Sequence, residues 1–539
     1  MDRRRGRSLT NRHISLKNSP AAGRRLASAA MIVMAATALS RVFGYVREIA
    51  AAAYFGVGAE KSAFDVAFLV PSTFQILVAQ AALSAALIPV FAGLLEKDRS
   101  DEAWLVARTV FTLAIAVLGV VVAAFIAFAP QIMPLFAPGY RGDAAMMADI
   151  VSMSRLLFPI ILLLSITGIV ASILNSYEHF TLPAIAPVFW NLVIILAIVF
   201  GSGRFGIQAL AWGVLLGTVV QLAVQLPWLR GRGGRLGFSF AWRNPYVRQV
   251  GLLILPVSLS LGLINLNGVI DVQFASYLGK GGVAAMNFAF RLYQLPEALF
   301  AIAVGTVLFP TLSKLAARDD LSVFRDTINK GIRVIFFLLI PITAFILVLS
   351  EPLVRLVYQH GEFVAADTRL VASTLFFFTF GSAFSGGSTL LTRGFFSLER
   401  PWIPTLLALV NLGLNALFNW IFIGWYGLGG IALSTSVVSI LTFLALFFML
   451  RRKVDRLGGS AIIRTVTTTL LFATAAAAAA YASWYGMDAL LGRGLAAQVA
   501  SLAVALAAAT VVFLALARAA GMRELDLFRN LRSTAADKA

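Results

Sequence analysis

Apolar residues in this chain run continuously for stretches of roughly 20 to 30, the length at which an α-helix crosses about 30 Å of hydrocarbon at 1.5 Å per residue. About fourteen such stretches follow one another and account for most of the sequence. Hydrophobic residues make up 60% of the chain and charged residues 13%, against about 25% charged residues in an ordinary soluble domain. Lipid is therefore the solvent for most side chains. The runs are continuous rather than alternating, which favours helices over a barrel. The predicted spans are 26–57, 62–95, 103–128, 148–175, 183–201, 206–229, 246–278, 285–313, 330–350, 368–392, 402–424, 427–450, 462–484 and 492–518. Turns bearing Gly and Pro, such as Gly56-Val57-Gly58 and Ala137-Pro138-Gly139, separate them.

The net charge of +19 has a location that decides its meaning. It gathers in alternate loops: the arm with Arg3, Arg4, Arg5, Arg7, Arg12, Lys17, Arg24 and Arg25, the linker from Arg230 to Arg248, the segment from Lys314 to Arg333, the cluster Arg451, Arg452, Lys453 and Arg456, and the tail from Arg518. The intervening loops carry little more than Lys61, Arg141, Arg204, Lys280, Arg355 and Arg493. This is the positive-inside pattern, and it predicts a bacterial inner-membrane protein with both termini in the cytoplasm and no nucleic-acid role. Residues 26–40 look like a signal-peptide core, but the helical pattern continues through Arg41 and Arg47 to about Val57, and cleavage would reverse the loop charges. There is no cysteine, and His13, His179 and His360 have no zinc spacing. No P-loop is present, since Gly279-Lys280-Gly281-Gly282 lacks its spacing, so direct ATP hydrolysis is not expected.

Sliding the chain by about 220 residues reveals a repeat. Leu87-Ile88-Pro89 matches Leu308-Phe309-Pro310, Gly139 matches Gly361, Pro183 matches Pro404, and Gly206-Ile207 matches Gly430-Ile431. Six spans lie in each half, an even number, so the halves share an orientation and are related by an axis along the membrane normal. The predicted architecture is an all-α polytopic membrane protein with two six-helix lobes and a terminal hairpin. Its parts are a basic arm (1–25), an N-lobe (26–230), a linker (231–245), a C-lobe (246–456), a hairpin (457–520) and a tail (521–539).

Several charges fall inside spans, where each costs at least about 2.5 to 3.5 kcal/mol at the membrane centre and marks a functional site by default. They are Arg41, Arg47, Asp271 and Arg291. Helical spacing puts Asn287, Arg291 and Gln294 on one face, and Lys61, Asp65, Ser72 and Gln75 on another beside Pro71. Spans 1 and 2 occupy the repeat positions of spans 7 and 8, so these faces converge on a central cavity. Three arginines there suit an anion, and their planar forks suit phosphate or pyrophosphate. The bland alternatives are an Arg47–Glu48 pair and a buried Arg291–Asp271 pair. A second polar group, Asn415, Asn419 and Thr435 with Asp271, offers hard oxygen ligands for sodium, or a carboxylate for a proton. Asparagines bonding across packed helices are the competing reading.

A resemblance now adds to this. Ser40-Arg41-Val42-Phe43-Gly44-Tyr45-Val46-Arg47-Glu48, Tyr54-Phe55-Gly56, Ala63-Phe64-Asp65-Val66-Ala67-Phe68-Leu69-Val70-Pro71, Ile173-Leu174-Asn175 and Arg291-Leu292-Tyr293-Gln294-Leu295-Pro296 occur in an order that resembles the MurJ/MviN lipid II flippase family. The resemblance runs from about residue 26 through span 12. It implies the fold of the multidrug/oligosaccharidyl-lipid/polysaccharide exporter superfamily and the flipping of an undecaprenyl-pyrophosphate-linked precursor by alternating access. It also implies anion-binding roles for Arg41, Arg47 and Arg291 and a sodium site at Asp271, Asn415, Asn419 and Thr435. No enzyme chemistry or cofactor is implied beyond a coupling ion. The expected partners are the lipid-linked oligosaccharide, membrane lipids and cell-wall synthesis enzymes, with the chain acting as a monomer. Departures from the family pattern are Gln75 for a usual arginine and Gln294 for a common acid, which keep another polyprenyl-linked glycan open as substrate. A drug antiporter of the same superfamily and a non-transporting scaffold are the readings from other classes.

Overall fold

The computed structural model describes residues 20–74, 82–454 and 457–525, with side chains at 31–73, 86–254, 266–454 and 457–525. Gln75, Arg456, the first 19 residues of the basic arm and the tail from 526 lie outside the described residues. Among the described residues there is helix and no strand, as continuous apolar runs require.

The N-terminal half contains α1 (Pro20–Phe55), α2 (Ala59–Phe74), α3 (Ala82–Leu95), α4 (Ser100–Phe136), α5 (Ala144–Leu157), α6 (Pro159–Ser176), α7 (Thr181–Phe205) and α8 (Gln208–Gln225). The second half contains α9 (Pro245–Ala275), α10 (Gly282–Pro296), α11 (Ile302–Ala317), α12 (Leu321–Val348), α13 (Ser350–Tyr358), α14 (Ala365–Thr379), α15 (Ser382–Ser397), α16 (Trp402–Tyr426) and α17 (Leu428–Arg451). The final pair is α18 (Gly459–Leu491) and α19 (Leu495–Ala519). Among the described residues, every predicted span lies mainly on helix. Ten helices or joined helices are long and apolar enough to cross a bilayer, and α14 with α15, bent by 46°, makes an eleventh. Of the remaining three, 62–95 contains residues outside the described set, and 26–57 and 246–278 contain residues whose side chains are outside it.

Local chemistry explains where helices begin and end. Asp143 caps α5 by accepting from the Met146 amide, Asn244 caps α9 ahead of Pro245, and Asp320 caps α12 through the Val323 amide. Gly206 and Gly427 end α7 and α16 with φ of 54° and 53°, a conformation that side chains disfavour. The repeat partner of Gly206 is thus Gly427, not Gly430 as the motif match suggested; φ, not the following isoleucine, identifies it.

The same packing scheme recurs in each half. In the first, α1 packs on α7, α2 on α5, α3 on α6, and α8 on both α6 and α7. In the second, α9 packs on α16, α10 on α14, α11 on α15, and α17 on both α15 and α16. The final pair packs through small residues, Ala476, Ala480, Ala505, Ala509 and Ala517, and docks on α12 through Phe337 and Phe513. Small side chains let helix backbones approach where lipid offers no hydrophobic drive. Large exposed apolar residues such as Trp402, Trp420 and Trp425 on α16 face the lipid.

Candidate functional site: an ionic cavity between the lobes

Pro71 in α2 and Pro296 at the end of α10 each remove a backbone donor from a helix interior. Beyond Pro296 the chain forms a wide π-type turn over Glu297–Ala301. These two interrupted helices, together with α1, enclose a cavity of about 110 Å³ lined by Arg47, Glu48, Lys61, Asp65, Ser72, Trp190, Asn287 and Arg291. That space holds a few waters and no saccharide.

Glu48 organises the arginines. It accepts from Arg47 Nη2 at 2.6 Å, and its Oε1 lies 3.7 Å from Arg291 Nε. Arg47 stacks over Trp190 at 4.9 Å, which fixes its plane, while the Arg291 side chain stays 47% exposed. Arg291 is therefore the loosely held cation. Tyr45 ties the helices together by donating to the Arg291 carbonyl at 3.2 Å. Lys61, counted from sequence both among loop charges and on the polar face of span 2, is buried in α2, 2.6 Å from Asp65 and over the Phe288 ring at 4.8 Å. Its Phe288 contact is worth about 0.5 to 2 kcal/mol when desolvated. Three cations against two carboxylates leave the lining one positive charge in excess.

The structure brings Arg47, Arg291, Asp65, Ser72 and Asn287 to this cavity. Arg41 and Gln294 are not in its lining and are exposed. Arg41 lies one and a half turns before Arg47 and reaches across to the Ala298 carbonyl at 3.5 Å. The Arg291–Asp271 pair considered from sequence is absent, because Arg291 points to Glu48 from α10 and Asp271 turns into the C-lobe. The residue that sequence reading underused is Glu48, and its adjacency to Arg47 was the available signal.

Asp271 is buried and accepts from Asn415 Nδ2 at 2.8 Å and Asn419 Nδ2 at 2.9 Å, with Thr435 Oγ1 3.5 Å away. Ser434 donates to Asn415 Oδ1 at 3.0 Å. Asn419 Oδ1 is buried without a partner, a cost that a cation would remove. Carboxylate, amide and hydroxyl oxygens are the donor set of a hard monovalent cation, so the residues fit one, with the asparagine amides rotated. Glu297, which motif spacing did not single out, accepts from Ser385 at 2.9 Å and Thr389 at 3.2 Å within the C-lobe.

One end of the inter-lobe cleft is sealed by two related contacts. The loop after α4 places Gly139 against the Ser276 backbone at the end of α9, with Gly139 N donating to Ser276 Oγ at 2.9 Å. The loop after α13 places Gly361, at φ 60°, against the Ala53 carbonyl near the end of α1, and Glu362 N donates to Ala53 O at 2.8 Å. Because α1 and α9 are repeat partners, the halves clasp each other reciprocally. A Cβ at either glycine collides with backbone. Lys280 Nζ closes the first contact by pairing with Asp143 Oδ2 at 2.6 Å. Hydrogen bonds from Lys280 and the Met146 amide hold the Asp143 carboxyl below its usual range. Burial pushes the Tyr140 phenol up to about 12, so it donates as a neutral hydroxyl to Gly279 O at 3.2 Å.

Known proteins share this architecture. A family model described as the lipid II flippase MurJ matches residues 51–493. A lipid II flippase MurJ of Burkholderia cenocepacia is 33% identical over 434 residues, covering 79% of this chain and 84% of that protein. A probable lipid II flippase MurJ of Rhizobium meliloti is 32% identical over 418 residues, covering 76% and 78%. Among solved structures, a lipid II flippase MurJ in an inward closed conformation matches with a TM-score of 0.76 at 23% identity over 90% of this chain and 99% of that one. An inward-facing multidrug resistance transporter of the MATE family matches with 0.66 at 17% identity over 81% and 99%; at these identities the likenesses show the fold. Helical repeat, membrane-length spans and family match agree, and the chain belongs to the MurJ lipid II flippase family of multi-pass inner-membrane proteins.

Proposed function

We propose that this chain flips lipid II, an undecaprenyl-pyrophosphate-linked peptidoglycan precursor, from the cytoplasmic to the periplasmic leaflet by alternating access. The observation that carries the reading is the loosely held Arg291 facing Glu48 between the lobes. An arriving pyrophosphate competes with one carboxylate at 3.7 Å and offers several oxygens to a planar guanidinium, so it displaces Glu48 from Arg291 while Arg47 keeps Glu48 in place. Arg41, nearer the other end of α1, extends the cationic track. No bond is made or broken, and the protein acts as a transporter, not an enzyme.

Loop charge supports placing the sealed end in the periplasm and both termini in the cytoplasm. The moving bodies are the N-lobe (26–230) and the C-lobe (246–456), with the polyprenyl tail in lipid along the α18–α19 pair. The small cavity and sealed end describe a state before separation of the lobes. Sodium, or a proton on Asp271, supplies coupling through the buried cluster with Asn415, Asn419 and Thr435. The chain acts as a monomer alongside cell-wall synthesis enzymes. An excess of one positive charge in the lining favours an anionic lipid over the cationic compounds a drug antiporter takes.

Depletion of the protein is expected to leave lipid II in the inner leaflet of the cytoplasmic membrane. Wild type restores its export and neither Arg47→Ala nor Arg291→Ala does. Unchanged lipid II distribution on depletion, or full rescue by both variants, overturns the reading.

A further inference from the structure

A second basic cavity, of about 740 Å³, lies where α12, the first turns of α18 and the segment after α19 meet, far from the α1–α10 site in sequence and lined by none of its residues. Three arginines face it: Arg333, Arg464 and Arg523. One is already neutralised. Arg333 donates through Nε at 2.9 Å and Nη2 at 2.6 Å to Glu524 Oε1, which also accepts from Thr465 at 2.5 Å. Burial pushes the Glu524 carboxyl up, but the hydrogen bonds from Thr465 and Arg333 and the arginine's charge outweigh it and hold the group below its usual range. Glu524 is thus a charged strut, and it joins α12 and α18 to the segment after α19.

Arg464 and Arg523 have no ion-pair partner among the described residues. Both are exposed, and they leave the cavity two positive charges in excess. The polar wall also leads directly into lipid. Ser460, Arg464, Thr468 and Leu471 recur at steps of four, four and three along α18, which places them on one face. Leu471 is 68% exposed, and Ile463 and Leu470 beside it are 64% and 55% exposed. Cationic and hydroxyl groups at the helix end, beside exposed Ile463 and continuous with exposed Leu470 and Leu471 two to three turns along, match a molecule whose anionic head and apolar tails are joined. A free phosphate uses the first part of that surface and leaves the second unexplained.

We propose that this cavity is a binding site for the phosphodiester headgroup of an anionic glycerophospholipid, held by Arg464 and Arg523, with its acyl chains along Ile463, Leu470 and Leu471. The bound lipid fastens the α18–α19 pair to α12. Its headgroup site is separate from the pyrophosphate site between the lobes, none of whose lining residues takes part.

The test uses the full chain in detergent, titrated with dioctanoyl phosphatidylglycerol or dioctanoyl phosphatidylcholine, with bound lipid counted by native mass spectrometry. Wild type is expected to prefer phosphatidylglycerol. The R464A/R523A double variant is expected to bind it roughly thirtyfold more weakly, from a factor of about five per arginine. R291A keeps the preference, and so does R464K/R523K, which retains the charge and shows that the alanine pair acts through binding and not through folding. Equal binding of the two lipids by wild type, or unchanged binding by R464A/R523A, overturns the site. Displacement of phosphatidylglycerol by an equal concentration of inorganic phosphate overturns the lipid assignment and leaves a simple anion as the ligand.

Discussion

The sealed end of the cleft and the cavity beneath it are built by opposite means. At the sealed end, glycines at 139 and 361 bring backbone against backbone, with charge from the Lys280–Asp143 pair and from Asp367, whose Oδ2 accepts from Val57 N at 3.4 Å. In the cavity, the lobes meet through long side chains, with Arg291 3.7 Å from Glu48 and Lys61 over Phe288. Close backbone packing has no intermediate positions, so the seal is either made or broken. Long ionic side chains exchange partners at small cost, so the cavity can trade a carboxylate for a substrate anion. A transporter needs both: a bistable gate and a replaceable counter-ion.

That contrast is broken most severely at the glycines. Gly139→Val puts branched carbons into the Ser276 backbone, and transport is expected to fall to background while the protein still inserts; spin-label distances between positions 143 and 280 lengthen. Retained transport with an unchanged distance shows that the seal is not a backbone contact. Next in size is Arg291→Ala. Losing a hydrogen-bonding charge of about 1.5 to 3 kcal/mol lowers lipid movement by roughly ten- to a hundredfold, measured by protection of labelled lipid in proteoliposomes. Glu48→Gln, which frees Arg291 but also loosens Arg47, is expected to cost less than Arg291→Ala.

Asp271→Asn tests a different link, that between ions and the lobes. Wild-type transport is expected to respond to a sodium or pH gradient and the variant to lose that response, with residual movement the same with and without the gradient. A variant that still follows the gradient removes Asp271 from coupling. The smallest effect is on acid stability. Asp143 and Glu524 have carboxyls held low in the folded protein, so each contributes stability that is complete above the ordinary carboxylate value of about 4 and is lost as pH falls through the lowered one. Thermal midpoints of wild type are therefore expected to drop more between pH 6 and about 3 than those of an Asp143→Asn/Glu524→Gln variant. Parallel curves contradict the assignment of those pairs.

The helices were legible because crossing lipid leaves so few options: run length and loop charge suffice for the spans, and repeat landmarks suffice for the two halves. Partner choice inside the membrane was less legible. Arg291 and Asp271 both stand out as intramembrane charges, yet helix rotation, which a single sequence does not determine, sends one to Glu48 and the other to Asn415 and Asn419. Lys61 was legible both as a loop charge, because it opens a helix, and as part of the Asp65 face; its burial depends on Phe288 arriving from the other half. Glu297 escaped notice because its partners, Ser385 and Thr389, lie almost a hundred residues away. The glycine seal was visible as the repeat pair Gly139 and Gly361, but only the fold shows that each clasps the opposite half.

The central claim is that lipid passes between lobes whose sealed end must open. The chain contains no cysteine, so Asp143→Cys and Lys280→Cys can be joined across the seal with a short thiol-reactive cross-linker in proteoliposomes containing lipid II. Cross-linking is expected to arrest movement of lipid II between leaflets, and a cleavable linker is expected to restore it on reduction. Undiminished movement with the seal locked contradicts the account.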